Sequence, residues 1–129
     1  MKRFLMTGAF LTISVFAAGS AFADDAEICT KVTSMAEAEN KAAPAKLDDV
    51  TTDTGAVFDC GAKTYESTFE LSLATAGLPS GWQDRLQMAW NKGLCADADV
   101  HAAITAGWSA KAKYKFQDGV EFATVAKCE

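Results

Sequence analysis

Four cysteines constrain the fold of this chain more than any other feature of its sequence. They are Cys29, Cys60, Cys95 and Cys128, at spacings of 31, 35 and 33 residues. Structural zinc sites usually take their cysteines from closely spaced pairs, whereas this chain has no C-x-x-C motif and one histidine, so we expect no metal. An even number of cysteines in a small chain outside the cytosol is typical of disulfide bonds. The sequence therefore predicts two disulfides, for which three pairings are possible.

The first 23 residues have the pattern of a cleaved secretory signal peptide. Two basic residues precede an apolar run over residues 4–16, and Ala21-Phe22-Ala23 supplies the small side chains that signal peptidase accepts. A permanent membrane anchor needs ~20 continuous apolar residues, and this run is shorter. We therefore expect residues 1–23 to be removed, and residues 24–129 to form one domain, periplasmic or secreted, without membrane attachment.

The acidic composition limits the kinds of partner that the chain can bind. After removal of the signal peptide, 10 basic residues remain against 17 acidic residues, a net charge of −7. A phosphate backbone repels such a chain, so nucleic acid is not an expected partner. A domain of this length can bury a core of its own. Folding therefore requires no cofactor, and the sequence does not specify an oligomeric state.

Three segments of the mature chain have the apolar periodicity of helices. The first follows the acidic start of the mature chain and ends at Pro44. The second begins with Ser80 and Gln83, which have the spacing of a capping box. The third is short, with Asp97 as its N-cap, and stops at Gly107. The apolar positions are, in turn, Ile28, Val32 and Met35; Trp82, Leu86, Ala89, Trp90, Gly93 and Leu94; and Val100, Ala103 and Ile104.

Alternating apolar and polar residues predict a β-hairpin in the middle of the chain, with strands over residues 50–60 and 64–73. A two-residue loop at Gly61-Ala62 suits a type II′ turn. With this loop, the apolar faces of the two strands coincide. The register places Phe58 opposite Tyr65 and Thr54 opposite Phe69.

A second hairpin is predicted near the C-terminus, where apolar residues alternate with serine and lysine over residues 108–116. A two-residue loop at Asp118-Gly119 would mix the apolar and polar faces of its strands. A three-residue loop with Gly119 in the left-handed conformation keeps the faces apart. The expected pairs are Phe116 with Val120, Tyr114 with Phe122, Lys115 with Glu121, and Trp108 with Cys128.

The order helix, hairpin, helix, short helix, hairpin predicts an α+β domain, in which helices pack on one face of an antiparallel sheet of two hairpins.

The disulfide pairing follows from this arrangement. Cys128 falls on the core face of the last strand, where the end of the second helix can bring Cys95 to it. Cys29 lies on the buried stripe of the first helix, above the hairpin that contains Cys60. We therefore predict the disulfides Cys95–Cys128 and Cys29–Cys60, each stabilising the fold by roughly 3 to 4 kcal/mol.

The solvent-facing sides of the predicted strands carry charged residues. They are Glu66 and Glu70 on the first hairpin, and Lys111, Lys113 and Lys115 on the second. If the two hairpins lie side by side, these charges pair across neighbouring strands for roughly 0.2 to 1 kcal/mol each. One interpretation is a solvated sheet face. The other is a partner-binding surface, because complementary charges guide association.

No catalytic, metal-binding or cofactor-binding motif occurs in the sequence. Asp97-x-Asp99-x-His101 could chelate a cation only in extended backbone, whereas on a helix Asp97 serves better as the cap. Glu66 and Glu70 would stand about 13 Å apart on one strand, too far for a glycosidase pair. Each tryptophan falls on an apolar stripe and is expected in the core. The sequence therefore predicts no catalytic residue, no metal and no cofactor.

The C-terminal part of the chain resembles a known family of bacterial proteins. The run C-x(11)-G-W-x(5)-Y-x-F-x-D-G-x(8)-C begins at Cys95, and residues 95–129 are similar to the end of a family of small periplasmic proteins named for a quorum-sensing-regulated virulence factor. Residues 60–73 resemble that family more loosely. The resemblance implies an α+β fold without an established enzymatic activity.

These observations predict an exported, non-catalytic protein-interaction domain with an unidentified protein partner, and the resemblance adds a virulence-associated role. One alternative is an inhibitor of a secreted hydrolase such as lysozyme, whose basic surface would attract an acidic chain. Residues 57–61, Val-Phe-Asp-Cys-Gly, resemble the strand-cysteine-glycine opening of one bacterial lysozyme-inhibitor family. The other alternative is an enzyme with an unrecognised site.

Overall fold

A computed structural model describes residues 24–128, which form three α-helices and five β-strands. The predicted signal peptide, residues 1–23, lies outside the described residues, as does the last residue. In chain order the elements are α1 (Asp25–Ala42), β1 (Ala45–Lys46), β2 (Thr51–Asp59), β3 (Thr64–Leu71), a 3₁₀ turn (Thr75–Gly77), α2 (Trp82–Cys95), α3 (Ala98–Thr105), β4 (Ser109–Phe116) and β5 (Glu121–Val125). The strands form one sheet in the order β1-β2-β3-β4-β5.

The sheet consists of the two predicted hairpins, β2–β3 and β4–β5, placed side by side. Helices α2 and α3 connect β3 to β4 and return the chain to the same end of the sheet, so these two strands are parallel. The predicted α+β fold with two hairpins is confirmed, and the sheet is antiparallel except for this central pair. The two-residue strand β1 adds an edge that the sequence did not predict.

A β-bulge changes the register predicted for the first hairpin. Phe58 lies opposite Tyr65, as predicted. The prediction for Thr54 is wrong: Asp53 lies opposite Phe69, because the pairing shifts by one residue at the bulge. As a result, the Asp53 side chain is buried on the helix-covered side of the sheet.

The turn of this hairpin is not the predicted type II′ turn. Asp59 closes it, because its Oδ1 accepts hydrogen bonds from the backbone N–H groups of Gly61 (2.9 Å) and Ala62 (3.1 Å). The residue in the left-handed region is Lys63, with a φ of 57°, and not Gly61. An aspartate side chain that binds backbone N–H groups two and three residues onward can fix a turn without a left-handed glycine.

The second hairpin has the predicted three-residue turn. Gly119 is left-handed, with a φ of 84°, and the N–H of Phe116 donates to the carbonyl of Val120 at 2.9 Å. The pairs Tyr114 with Phe122 and Lys115 with Glu121 are confirmed. The last pair of the ladder is Lys111 with Val125, so the predicted pairing of Trp108 with Cys128 does not form part of it.

Of the two N-caps predicted from the sequence, Asp97 and Ser80, the first forms. Asp24 caps α1 by accepting a hydrogen bond from the N–H of Glu27 at 2.9 Å. Asp97 caps α3, as predicted, by accepting from two backbone N–H groups. The capping box at Ser80 is wrong: Gly81, with a φ of 84°, is the N-cap of α2, and no side chain caps this helix.

All three helices lie with the core on one side of the sheet. Helix α1 packs its apolar stripe on β2, β3 and Trp108, while α2 packs on the other end of the sheet. The tryptophans are core residues, as predicted: Trp108 is buried, and Trp82 and Trp90 pack against the aromatic side chains of the strands. Both disulfides have the predicted pairing, Cys29–Cys60 and Cys95–Cys128.

Candidate functional site

The charged residues predicted to bind a partner lie together on the face of the sheet opposite the helices. Strands alternate their side chains between the two faces, and the residues between these charges, such as Ala112 and Tyr114, are buried in the core. We use the name outer sheet face for the surface formed by Glu66, Glu70, Lys111, Lys113 and Lys115 together with two valines, Val57 and Val125.

The parallel pairing of β3 and β4 places opposite charges next to each other on this face. Glu66 lies beside Lys111, and Glu70 lies beside Lys115. Within residues 24–128 the ion pairs are Lys31–Asp99 and Lys63–Asp25, so none of the charges on the outer sheet face forms one there. Lys115 and Glu70 are exposed, and the others are half-buried among their neighbours. These charges are therefore available to a partner.

Two exposed valines flank the charges and were missing from the predicted site. Val57 is 67% exposed and Val125 is 36% exposed. The row across β2, β3, β4 and β5 reads Val57, Glu66, Lys111, Val125. The outer sheet face thus offers a partner complementary charge at its centre and an apolar contact on each side.

A second group of polar side chains is buried between α1 and the sheet. The hydroxyl of Tyr65 donates to Glu39 Oε1 at 2.6 Å, and the hydroxyl of Ser67 donates to the same atom at 3.1 Å. Asp53, brought to this side by the bulge, is hydrogen-bonded to Glu39 through its carboxyl group. The other oxygen, Glu39 Oε2, is buried and receives no hydrogen bond from an N–H or hydroxyl group of residues 24–128. A hydrogen bond between two carboxyl groups requires that one of them carry a proton.

This cluster displaces the pKa values of its members. Burial, helped by the hydrogen bond and charge of Glu39, raises the pKa of Asp53 to about 8. Burial and the same carboxylate raise the pKa of Tyr65. Two carboxyl groups that share a proton can act as an acid and base pair, but Asp53 is only 7% exposed and Tyr65 only 9%. Because a substrate cannot reach them in this structure, we interpret the cluster as the joint between α1 and the sheet.

The side chain of Asn40 completes this joint at the bulge. Its Oδ1 accepts from the N–H of Ala56 at 2.7 Å, and its Nδ2 donates to the carbonyl of Ala56 at 2.9 Å. Gly55 lies next to this contact with a φ of 125°, and a Cβ at Gly55 would stand 2.6 Å from Asn40 Oδ1. Glycine at this position thus allows the amide of Asn40 to bind β2 as a neighbouring strand would.

The remaining chemistry considered from the sequence does not assemble into a site. Asp97 Oδ1 accepts from the N–H groups of Asp99 (2.9 Å) and Val100 (3.1 Å), and Asp99 contacts Lys31 at 3.4 Å. Both carboxylates therefore have structural contacts. In residues 24–128 no group of histidine, cysteine or acidic side chains has the arrangement of a metal site, and no helix is long and apolar enough to cross a membrane.

Comparison with known proteins identifies the fold. The chain matches no protein-family model and no curated protein sequence. It is similar in structure to a Pseudomonas aeruginosa protein described as secreted, with a TM-score of 0.63 and 10% identity over 78% of this chain and 89% of that chain.

Two pilotins have the same fold. The Vibrio vulnificus type 2 secretion system pilotin EpsS matches with a TM-score of 0.58 and 12% identity over 79% of this chain and 91% of its own. The Vibrio cholerae type II secretion system pilotin AspS matches with a TM-score of 0.54 and 16% identity over 82% of this chain and 90% of its own. At such low identity these likenesses establish the fold alone.

Proposed function

We propose that this chain is an exported, non-catalytic domain that binds another protein through the outer sheet face. The observation that carries the proposal is the combination of unpaired charges and exposed valines on a sheet face opposite the helices. Protein partners combine apolar contacts with complementary charge. The described residues show no accessible catalytic group that would compete with this interpretation.

The structural neighbours support a role in the cell envelope. One of them is described as secreted, and two are pilotins of type II secretion systems. We propose that this chain likewise acts as an accessory protein of an export apparatus rather than as an enzyme. The signal-peptide pattern and the two disulfides agree with an oxidising compartment outside the cytosol. A link to the quorum-sensing-regulated virulence family belongs to the same proposal.

The arrangement of charges indicates the chemistry of the partner. Lys111, Lys113 and Lys115 form a basic row along β4, with Glu66 and Glu70 along the adjacent strand. A fitting partner surface carries an acidic row next to a basic row, together with apolar residues that cover the valines. Contacts of this kind accelerate association and weaken as salt screens them.

The test is a charge reversal on the basic row. We expect the variant Lys111→Glu, Lys113→Glu, Lys115→Glu to lose a partner that wild type recovers from a periplasmic extract. These side chains face away from the core, but two of the new glutamates lie beside Glu66 and Glu70, so circular dichroism verifies that the variant is folded before binding is compared. Partners are identified by mass spectrometry, and their retention is compared at low and high salt. The matched control is Lys41→Glu, Ser80→Glu, Gln83→Glu, Arg85→Glu, which has the same net charge and changes exposed residues that lie outside the strands.

Three outcomes would contradict the proposal. If both variants lose the partner, net charge explains the effect and the surface is wrong. If neither loses it, the partner binds elsewhere. If no partner is recovered and the protein instead turns over a substrate, the enzyme alternative replaces protein binding.

A further inference from the structure

A cleft on the helix layer forms a second surface, independent of the outer sheet face. It is shallow and open to solvent, and it runs along α2, with Met88 and Lys92 on the helix and Lys127 on the C-terminal segment. The Cys95–Cys128 disulfide also lines it. The proposed function makes no use of this feature.

The C-terminal wall of the cleft is held in place by hydrogen bonds. Asn91 Oδ1 accepts from the backbone N–H of Lys127 at 2.8 Å, and Gln87 Nε2 donates to the carbonyl of Val125 at 2.8 Å. The N–H of Ala126 donates to the carbonyl of Ala110 in β4 at 2.9 Å. Together with the disulfide, these bonds give a preformed cleft, so a ligand does not have to order it on binding.

The lining combines an exposed apolar side chain with positive charge. Met88 is 65% exposed and is therefore accessible to a ligand. Lys92 and Lys127 are exposed on either side, and neither forms an ion pair within residues 24–128. None of the described residues that line the cleft is acidic. This is a local concentration of positive charge in a chain whose net charge is −5.

We propose that the cleft binds an acidic peptide segment of a partner protein, with a large apolar side chain placed against Met88 and carboxylates near Lys92 and Lys127. Methionine adapts its flexible side chain to different apolar shapes, and the two lysines select negative charge. A fatty acid carries the same two chemical groups, but the cleft is open to solvent and leaves an acyl chain largely in water. The peptide is therefore the better occupant.

The probe is a phage-displayed library of short random peptides, panned against the mature protein. We expect enriched sequences with aspartate or glutamate on either side of a large apolar residue. The mature sequence contains two methionines, Met35 and Met88, so ¹³C-methyl labelling gives a reporter in the cleft and an internal control on α1. A synthetic peptide from the selection should shift the Met88 methyl resonance and leave that of Met35 unchanged.

Variants then separate this site from the outer sheet face. Lys92→Glu, Lys127→Glu should weaken the peptide by at least about tenfold, or about 1.4 kcal/mol, and Met88→Ser should weaken it through loss of the apolar contact. The sheet variant Lys111→Glu, Lys113→Glu, Lys115→Glu should bind the peptide as wild type does.

The proposal is overturned if panning enriches no acidic and apolar sequences, or if the selected peptides leave the Met88 resonance unchanged. It is also overturned if dodecanoate shifts that resonance while the peptides do not, since the cleft would then be a fatty-acid site. The two proposals can fail separately. If the sheet variant keeps every partner while the peptides bind the cleft, the proposed function fails and this inference stands. If the sheet variant loses its partner while no peptide binds the cleft, this inference fails and the proposed function stands.

Discussion

Replacing Asp53 by asparagine should remove the pH dependence that the buried carboxyl pair gives to the stability of the fold. In the folded protein the pKa of Asp53 is raised to about 8 from its ordinary value of 3.8, mainly by burial and then by Glu39. The unfolded chain releases this proton above about pH 4, whereas the folded chain retains it until about pH 8. Over that window the folded state binds one more proton than the unfolded state. The free energy of unfolding therefore falls as the pH rises, by up to about 1.4 kcal/mol per pH unit.

The variant keeps the contacts of the side chain without the proton. In Asp53→Asn the amide NH₂ can donate to the Glu39 carboxylate, and the amide oxygen can keep the hydrogen bond from the N–H of Gly55, which is 2.9 Å long in wild type. Its free energy of unfolding should change little between about pH 5 and pH 8. Wild type should lose up to about 4 kcal/mol over the same range, so the variant becomes the more stable protein at the alkaline end.

Urea unfolding followed by tryptophan fluorescence, with the disulfides intact, measures this difference at each pH. The matched control is Asp49→Asn, which removes an exposed carboxylate and should leave the slope of wild type unchanged. The reasoning is refuted if wild type and Asp53→Asn have parallel pH profiles, because Asp53 would then not hold a proton in the folded state.

Two further predictions concern the bulge and the N-terminus. Gly55→Ala should destabilise the fold by roughly 1 to 3 kcal/mol, because the residue has a φ of 125° and the new Cβ would lie 2.6 Å from Asn40 Oδ1. Thermal unfolding measures the loss of stability. The control is Gly77→Ala, where a new Cβ meets no atom within 4 Å, and its stability should change little. Intact mass of the exported protein should correspond to a chain that begins at Asp24, and a full-length chain in the membrane fraction would contradict the predicted signal peptide.

Local patterns predicted most of the fold. The register of the second hairpin followed from alternation and from Gly119, because a one-residue shift would have placed lysines in the core. The disulfide pairs followed once those faces were assigned. The β-bulge was missed, although a glycine inside a strand, here Gly55, is a signal for one. The contact of Asn40 with β2 could not be predicted, because it joins elements that are not adjacent in the chain.

The sequence predicted the outer sheet face but not the cleft. The charges of the outer sheet face were predicted because alternation alone assigns Glu66 and Lys111 to the polar side of their strands. Alternation also placed Asp53 on that side, and only the bulge moves it to the buried cluster. The cleft could not be predicted, because Met88 becomes part of a binding surface only when the C-terminal segment passes over α2.

The amide side chains at the two edges of the sheet also cover backbone groups with which a second copy of this protein could pair. An open strand edge is a template for another chain, and it can start fibres or domain-swapped dimers. Asn40 hydrogen-bonds to the backbone of β2 beyond the short strand β1, and Gln87 donates a hydrogen bond to the carbonyl of Val125 on the last strand. Asn40 offers Ala56 both a donor and an acceptor, as a neighbouring strand would, whereas Gln87 offers Val125 a donor. At these two positions the contacts oppose edge-to-edge pairing between copies of the protein.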